Sequence, residues 1–176
     1  MSLVIRVTDY LLNHIPFILL MLACIVSIWI ISTRDKRRRS SQNVNTFIAY
    51  VMLLPVGIAG LWAFVFHAFF PAIAARFIGW QPSPFEFEVA VANLGLGLMG
   101  LFSFRASKGF RTATTLFAAC FLWGSAIGHI RQMTIHSNFT PGNAGSIFYT
   151  DIIIPLLLIV LLMLYNSKSK HVFITK

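Results

Sequence analysis

Long apolar runs separated by short polar segments dominate the chain. A helix needs about 20 mostly apolar residues to cross a hydrocarbon core of about 30 Å. Five runs reach that length and no long polar region remains, so the pattern predicts a single domain over residues 1–176. It predicts an all-α integral membrane bundle of five transmembrane helices, at about Leu11–Ser32, Thr46–Phe70, Phe85–Phe104, Thr112–Ile130 and Ile147–Tyr165.

The composition supports a lipid bilayer as the main partner. Hydrophobic residues make up 57% of the chain and charged residues 11%, whereas a soluble domain has about 45–50% apolar and about 25% charged residues. The net charge of +9 is compatible with nucleic acid, but the chain lacks the basic and aromatic stripe on which bases stack. Its two cysteines lie inside apolar runs and are expected to act as small hydrophobic residues.

The Lys and Arg residues lie mainly on one side of the predicted bundle. Eleven follow the first helix, the third helix or the last helix, whereas Arg6, Arg76 and Arg131 lie on the other side. Cytoplasmic loops carry an excess of these residues. The asymmetry predicts an outer N-terminus and a cytoplasmic C-terminus, in the plasma membrane or the inner membrane of a cell.

Small residues recur at helical spacing and indicate close helix contacts. One such face contains Gly57, Gly60 and His67 on the second helix, and the fourth helix carries the pair Gly124 and Gly128. On the third helix the face consists of Glu86, Ala90, Asn93, Gly97 and Gly100.

Prolines and one loop tryptophan give further local expectations. Pro55 and Pro155 lie inside predicted helices and are expected to kink them. The segment Pro71–Pro84 is expected to lie on the membrane surface, with Trp80 among the lipid headgroups.

Ionisable groups gather at the predicted outer ends of the helices. His67, Glu86, Glu88, His129 and Asp151 all fall within about two turns of that boundary, at about 1.5 Å per residue. Such groups are costly near lipid, so they face the bundle interior, pair with one another or mark a functional site. A purely interfacial or helix-pinning role accounts for the same pattern, and the sequence leaves both interpretations open.

The sharpest hypothesis for these groups is a metal site. His67, Glu88 and His129 are its candidate ligands, with Asp151 as a fourth ligand or as an orienting group for Zn²⁺, Fe²⁺ or Mn²⁺. Haem with two axial histidines fits the neighbouring carboxylates less well. Glu86 and Glu88 point about 200° apart on a helix and cannot both face inward. The candidate pocket-lining residues are Glu86, Asn93, Asn138 and Asn143.

The segments "FEFEVAVANLGLGLMGLFSF", "GSAIGHIRQ" and "NFTPGNAGSIFYTDIIIPLLL" resemble a family of small multi-pass prokaryotic membrane proteins of unknown function. The resemblance covers about Gly57–Leu164, leaves out the first helix and the basic cluster, and implies no activity. It directs attention to positions of the motifs E-x-x-x-x-N-L-x-L-G and G-H…N-x-x-P-G-N-A-G, which are Glu88, Asn93, His129, Asn138, Pro141, Gly142, Asn143 and Gly145. In size and helix number the chain is also similar to DoxX-type proteins, which implies architecture alone.

Three functions therefore stay open. The first is a membrane protein whose outer polar pocket binds a metal ion or small ligand, in support of transport or redox chemistry. The second is an accessory or assembly subunit, and the third is a small enzyme that uses His129 and a carboxylate. Five helices without an inverted repeat are few for a solitary transporter, so a homo-oligomer or a membrane partner subunit is expected. No nucleotide-binding or hydrolase motif is present to decide between them.

Overall fold

The structure is a computed structural model that describes the backbone of residues 3–34 and 40–174 and the side chains of residues 10, 13–34 and 42–165. Within those residues every regular element is a helix. In chain order they are α1 (Leu3–Thr33), α2 (Ser40–Val51), a π-helical segment (Met52–Ile58), α3 (Ala59–Phe69), α4 (Pro71–Ile78), α5 (Phe85–Ser103), α6 (Lys108–His136), α7 (Pro141–Ala144) and α8 (Ser146–Ile174).

Among the described residues, five helical stretches are long and apolar enough to cross a membrane, which confirms the predicted helix number. They are Asn13–Thr33, Gln42–Phe69, Phe85–Ser103, Lys108–His136 and Pro141–Tyr165. The largest difference from the predicted bounds is at α6, which is 29 residues long and extends beyond the apolar run at both ends. A helix satisfies its own backbone groups and can continue into the headgroup region, where polar residues are tolerated.

For most of the basic residues on which the predicted orientation depends, the structure does not describe the side chain. Lys36–Arg39 and Lys176 are outside it altogether, and the side chains of Arg6, Lys168 and Lys170 are not described. The orientation of the termini therefore stays a prediction.

The second span changes from α-helical to π-helical hydrogen bonding around a proline. α2, the π-helical segment and α3 follow one another without a break, and Pro55 is buried inside the π-helical segment. Proline has no N–H to donate and its ring clashes with the carbonyl four residues earlier. The wider π turn accommodates that clash, so the local irregularity predicted at Pro55 takes this form.

The second and third spans approach each other through glycines. A Cβ built on Gly60 would lie 2.8 Å from the backbone nitrogen of Gly97, and one built on Gly57 would lie 2.9 Å from that of Leu101. Both distances are shorter than real Cβ contacts, so only glycine fits. The small-residue faces predicted on these two helices therefore pack against each other. Gly124 on α6 differs, because a Cβ built on it would meet nothing within 4 Å in the described part of the chain.

The apolar core lies among the first, second and last spans. Leu20 of α1, Ile48 of α2 and Leu158 of α8 are almost fully buried and belong to one contiguous cluster. Leu96 of α5 joins the same cluster. This core fixes the helices around which the remaining spans assemble.

Side-chain contacts define two ends of the bundle. At the first end, His14 of α1 lies 3.0 Å from the hydroxyl of Ser146 at the start of α8. At the opposite end, the buried Arg111 of α6 donates to the carbonyl oxygens of Ser103 and Phe104 at 2.8 and 2.7 Å and to Asn45 Oδ1 at 2.5 Å. The first end holds the C-termini of α3 and α6 and the N-termini of α5 and α8, where the candidate site residues lie. We call it the site end.

Candidate functional site

A cavity of about 420 Å³ lies at the site end, between α3, α4, α5, α6 and α8. Its wall is mainly aromatic and aliphatic, with Phe66, Phe121 and Ile154 among the contributors. Volumes of 300–1,000 Å³ with mostly apolar walls and a few polar groups are typical of small-molecule sites. Among its polar groups are two histidine–carboxylate pairs, each formed across two helices.

The first pair joins α3 to α5. Nδ1 of His67, in the last turn of α3, lies 3.5 Å from Oε2 of Glu86, in the first turn of α5. Both side chains are largely buried, and neither of these two atoms has a hydrogen-bond partner among the residues that the structure describes. The glycine contacts of the same two helices bring these ends together. A carboxylate at a helix N-terminus is also favoured by the helix dipole.

The second pair joins α6 to α8. Nε2 of the buried His129 lies 3.8 Å from Oδ2 of Asp151, and Nδ1 of the same ring lies 2.8 Å from Oδ1 of Asn143. The imidazole is placed between Trp80 and Phe148, with ring centroids 5.6 and 6.4 Å away. One nitrogen of the ring is thus held firmly, and the other faces a carboxyl group beyond hydrogen-bond distance.

Asn143 is the centre of the hydrogen bonds that hold this ring. Its amide nitrogen donates to the carbonyl oxygens of Asn138 and His129, at 2.9 and 3.2 Å. Its Oδ1 accepts the indole N–H of Trp80 at 2.8 Å. A carbonyl only accepts and an indole only donates, so these partners fix the amide orientation. Asn143 is fully buried, and its hydrogen-bonding capacity is well used.

The turn around Asn138 attaches the loop after α4 to α6. Asn138 donates to the carbonyl oxygens of Ile78 and Gly79 at 3.0 and 3.1 Å, and the Thr140 hydroxyl donates to Ile78 at 2.8 Å. Gly79 ends α4 in a left-handed conformation, with φ of 74°, which glycine adopts without strain. These contacts turn Trp80 inward, toward His129.

The inward position of Trp80 differs from the expectation that it lies among the headgroups. Its indole lines the cavity and packs against Gly128, where an added Cβ would lie 3.3 Å from the ring. Gly128 therefore serves this contact and not the helix–helix contact predicted for the pair with Gly124. The inward position of Trp80 could not be predicted from helical periodicity, because Trp80 lies in a loop. The available signal is the glycine on each side of the contact, Gly79 and Gly128.

The structure brings most of the sequence-predicted site residues to one cavity. His67, Glu86, Asn93, His129 and Asp151 all line it. Asn93 is satisfied locally, because it donates to the Val89 carbonyl at 2.9 Å.

Three of the named residues lie elsewhere. Glu88 is exposed and is not among the lining residues, because it points away from the face that Glu86 shares with the α5 glycines. Asn138 and Asn143 are also outside the lining and support His129 and Trp80 from behind.

The predicted metal ligands are not gathered into one set. In the described part of the chain, no three His, Cys, Asp or Glu side chains are arranged to hold a metal ion. His67 and His129 each face one carboxylate, on different helix pairs. The arrangement offers two separate places at which a bound molecule can exchange hydrogen bonds.

Comparison with known proteins gives the family but no activity. No curated protein and no solved structure matches the chain. A family model matches residues 13–171, so the similarity is longer than the motifs indicated and includes the first span and the basic cluster. The chain belongs to the family of unknown function described as DUF6790.

Proposed function

We propose that this protein binds a small, largely apolar molecule with a polar group in the cavity at its site end. The observation that carries the proposal is the combination of an apolar wall with two buried histidine–carboxylate pairs around one space of about 420 Å³. Buried polar groups without good hydrogen bonds are costly. A ligand that supplies the missing partners recovers part of that cost.

The rim of the cavity supports entry of an amphiphile. Trp62, Ile73 and Phe85 contribute to the lining and are also exposed, and beside them lie the exposed polar residues Gln81 and Ser83. An apolar rim facing lipid, next to a polar loop, suits a molecule that enters from the membrane with its polar group near the surface. Ligand support of transport or of a redox partner is compatible with such a site.

The experiment measures binding of a chemically simple probe, 4-(6-bromohexyl)anisole, to the protein in lipid nanodiscs. Bromine quenches nearby indole fluorescence, so the reporter is Trp80 in a variant with Trp29, Trp62 and Trp123 replaced by Phe. Empty nanodiscs give the partitioning of the probe into lipid. We expect saturable quenching of Trp80. Quenching that rises only in proportion to the probe in the lipid would refute the proposal.

A matched pair of double variants tests the location of binding. Ala63→Phe with Ser125→Phe fills the cavity from α3 and α6, since both residues line it. Ala113→Phe with Thr134→Phe adds the same side chains at exposed positions. We expect the first variant to lose saturable quenching and the second to keep it. Equal binding by both would contradict the cavity as the site. If neither wild type nor control binds, the accessory-subunit and enzyme hypotheses gain ground.

We further propose that the site end lies on the outer side of a plasma or inner membrane, as the excess of Lys and Arg on the opposite side suggests. The test uses Arg76→Cys on α4 and Arg105→Cys at the opposite end, both exposed, with Cys24 and Cys120 replaced by Ser. A membrane-impermeant maleimide is applied to whole cells. We expect labelling at position 76 only, and labelling at position 105 only would reverse the assignment.

A further inference from the structure

We propose that the ligand of the cavity is an uncharged molecule with a hydroxyl group, and that this hydroxyl donates a hydrogen bond to Nε2 of His129. The inference rests on the proposed function and deepens it by naming the chemical class of the ligand. Three observations support it, concerning the tautomer of His129, the group that faces Nε2 and the charge of the cavity wall.

The tautomer follows from the orientation of Asn143. The Asn143 amide nitrogen donates to two carbonyl oxygens, and Trp80 donates to Oδ1. The oxygen is therefore the atom that faces Nδ1 of His129, 2.8 Å away. An oxygen acceptor requires a donor opposite it. When the ring carries a single proton, that proton is on Nδ1, and Nε2 presents a lone pair.

The group facing Nε2 does not satisfy that lone pair. Oδ2 of Asp151 is 3.8 Å away, which is too far for a hydrogen bond to Nε2 whether or not the carboxyl group carries a proton. Nε2 and Oδ2 thus face each other across a gap at the cavity wall, and neither atom satisfies the other. A hydroxyl at the cavity side of this gap donates its proton to the lone pair of Nε2. An ether or an alkane has no O–H to donate, so it leaves the lone pair of Nε2 unsatisfied.

The charge of the wall disfavours an anionic ligand. Among the described residues, neither Lys nor Arg lines the cavity, whereas Glu86 and Asp151 both do. Arg76 of the nearby α4 is exposed and does not contribute to the wall. A carboxylate or phosphate headgroup would bring a negative charge next to these two side chains without a cation to compensate it. A hydroxyl carries no such penalty.

The test compares three probes that share one tail and differ in one group. They are 4-(6-bromohexyl)phenol, 4-(6-bromohexyl)anisole and 4-(6-bromohexyl)benzoate, each measured by Trp80 quenching in nanodiscs and corrected for lipid partitioning. We expect the phenol to bind about tenfold more tightly than the anisole, which corresponds to about 1.4 kcal/mol for one added hydrogen bond. The benzoate is expected to bind more weakly than the anisole.

Asp151→Asn and Glu88→Gln form a matched pair of carboxylate-to-amide variants. An amide N–H at position 151 can donate to Nε2 once the side chain moves closer than the present 3.8 Å, and it then competes with the ligand hydroxyl for the lone pair. We therefore expect the preference for phenol over anisole to fall toward one. Glu88 is exposed outside the cavity, and its variant is expected to keep the tenfold preference. ¹⁵N spectra of histidine-labelled protein, compared with His129→Gln, supply a readout that does not depend on folding of the Asp151 variant. They are expected to show Nδ1 protonated and Nε2 free.

The outcomes separate the two proposals. Equal affinities for phenol and anisole in the wild type, with binding abolished by the cavity-filling variant, would overturn the hydroxyl inference and leave the proposed function intact. Absence of saturable binding by any probe would refute the proposed function itself. A spectrum showing both nitrogens of His129 protonated would mean an ion pair with Asp151 and would also overturn the inference.

Discussion

The glycine contact between α3 and α5 gives the sharpest test of the fold around the site. An added Cβ on Gly97 would lie 2.7 Å from the backbone nitrogen of Leu61, whereas one on Gly95, in the same helix, meets nothing within 4 Å. The change Gly97→Ala therefore forces the helices apart by about 0.7 Å to reach the 3.4 Å of ordinary contact. Gly95→Ala adds the same methyl group without a neighbour.

The magnitude follows from the rigidity of the contacted atoms. Because the obstacle is backbone, it cannot rotate away, and overpacking of this kind costs about 1–3 kcal/mol. For a chain of this size, 1 kcal/mol corresponds to a change in Tm of about 2–4 °C. We expect Gly97→Ala to lower Tm by roughly 2–12 °C. Gly95→Ala is expected to leave Tm unchanged or to raise it slightly, since alanine favours a helix over glycine by about 0.5–1 kcal/mol.

The assay is thermal unfolding of the purified variants in one detergent, followed by size-exclusion chromatography of the soluble fraction. The two variants have the same composition, so effects on detergent binding or on expression apply to both. Equal Tm values for Gly97→Ala and Gly95→Ala would refute the reasoning, because they would mean that the two helices do not touch at Gly97.

Two further predictions concern buried polar groups. Asn143→Ala removes the acceptor of both Trp80 and His129, and we expect a loss of about 2–4 kcal/mol in unfolding free energy and a red shift of the Trp80 emission in the single-tryptophan variant; unchanged emission would contradict the role given to Asn143. Arg111→Lys cannot reproduce the three hydrogen bonds of the guanidinium group, and we expect a loss of about 1–3 kcal/mol, measured by thermal unfolding against the exposed Arg105→Lys; equal stability of the two variants would contradict it.

The five spans could be predicted from the sequence because the length of an apolar run depends on local composition alone. The ends of the helices could be predicted less well, because α6 continues through polar residues on both sides of its apolar run. The positions of the spans relative to one another were visible only where small residues marked a face. Gly57 and Gly60 pointed to a partner helix, and Gly97 and Gly100 turned out to be on it.

The pairing of the site residues could be predicted from the sequence only in part. Glu86 shares a face with the glycines of α5, and this spacing already favours its inward position over that of Glu88. A carboxylate is a suitable metal ligand, which favoured Glu88 in the metal hypothesis. The helical spacing nevertheless places Glu88 away from the face that Glu86 shares with the glycines. The contacts of Asn143 and Trp80 depend on how two loops fold over each other, and a single sequence carries no period or spacing that specifies such contacts.

The two histidine–carboxylate pairs are held by different parts of the fold. Glycine packing of α3 against α5 aligns His67 with Glu86, whereas the buried amide of Asn143 aligns His129 near Asp151. The two sets of contacts have no hydrogen-bond partner in common among the interactions described above, so Gly97→Ala and Asn143→Ala are expected to have additive effects on stability, within about 0.5 kcal/mol.

Probe binding is expected to behave differently. Both histidine–carboxylate pairs line the same cavity, so a ligand that contacts both pairs is weakened when either pair moves. The double variant is then expected to lose less binding free energy than the sum of the losses in the two single variants. Additive losses of binding would instead mean that the ligand contacts each pair independently.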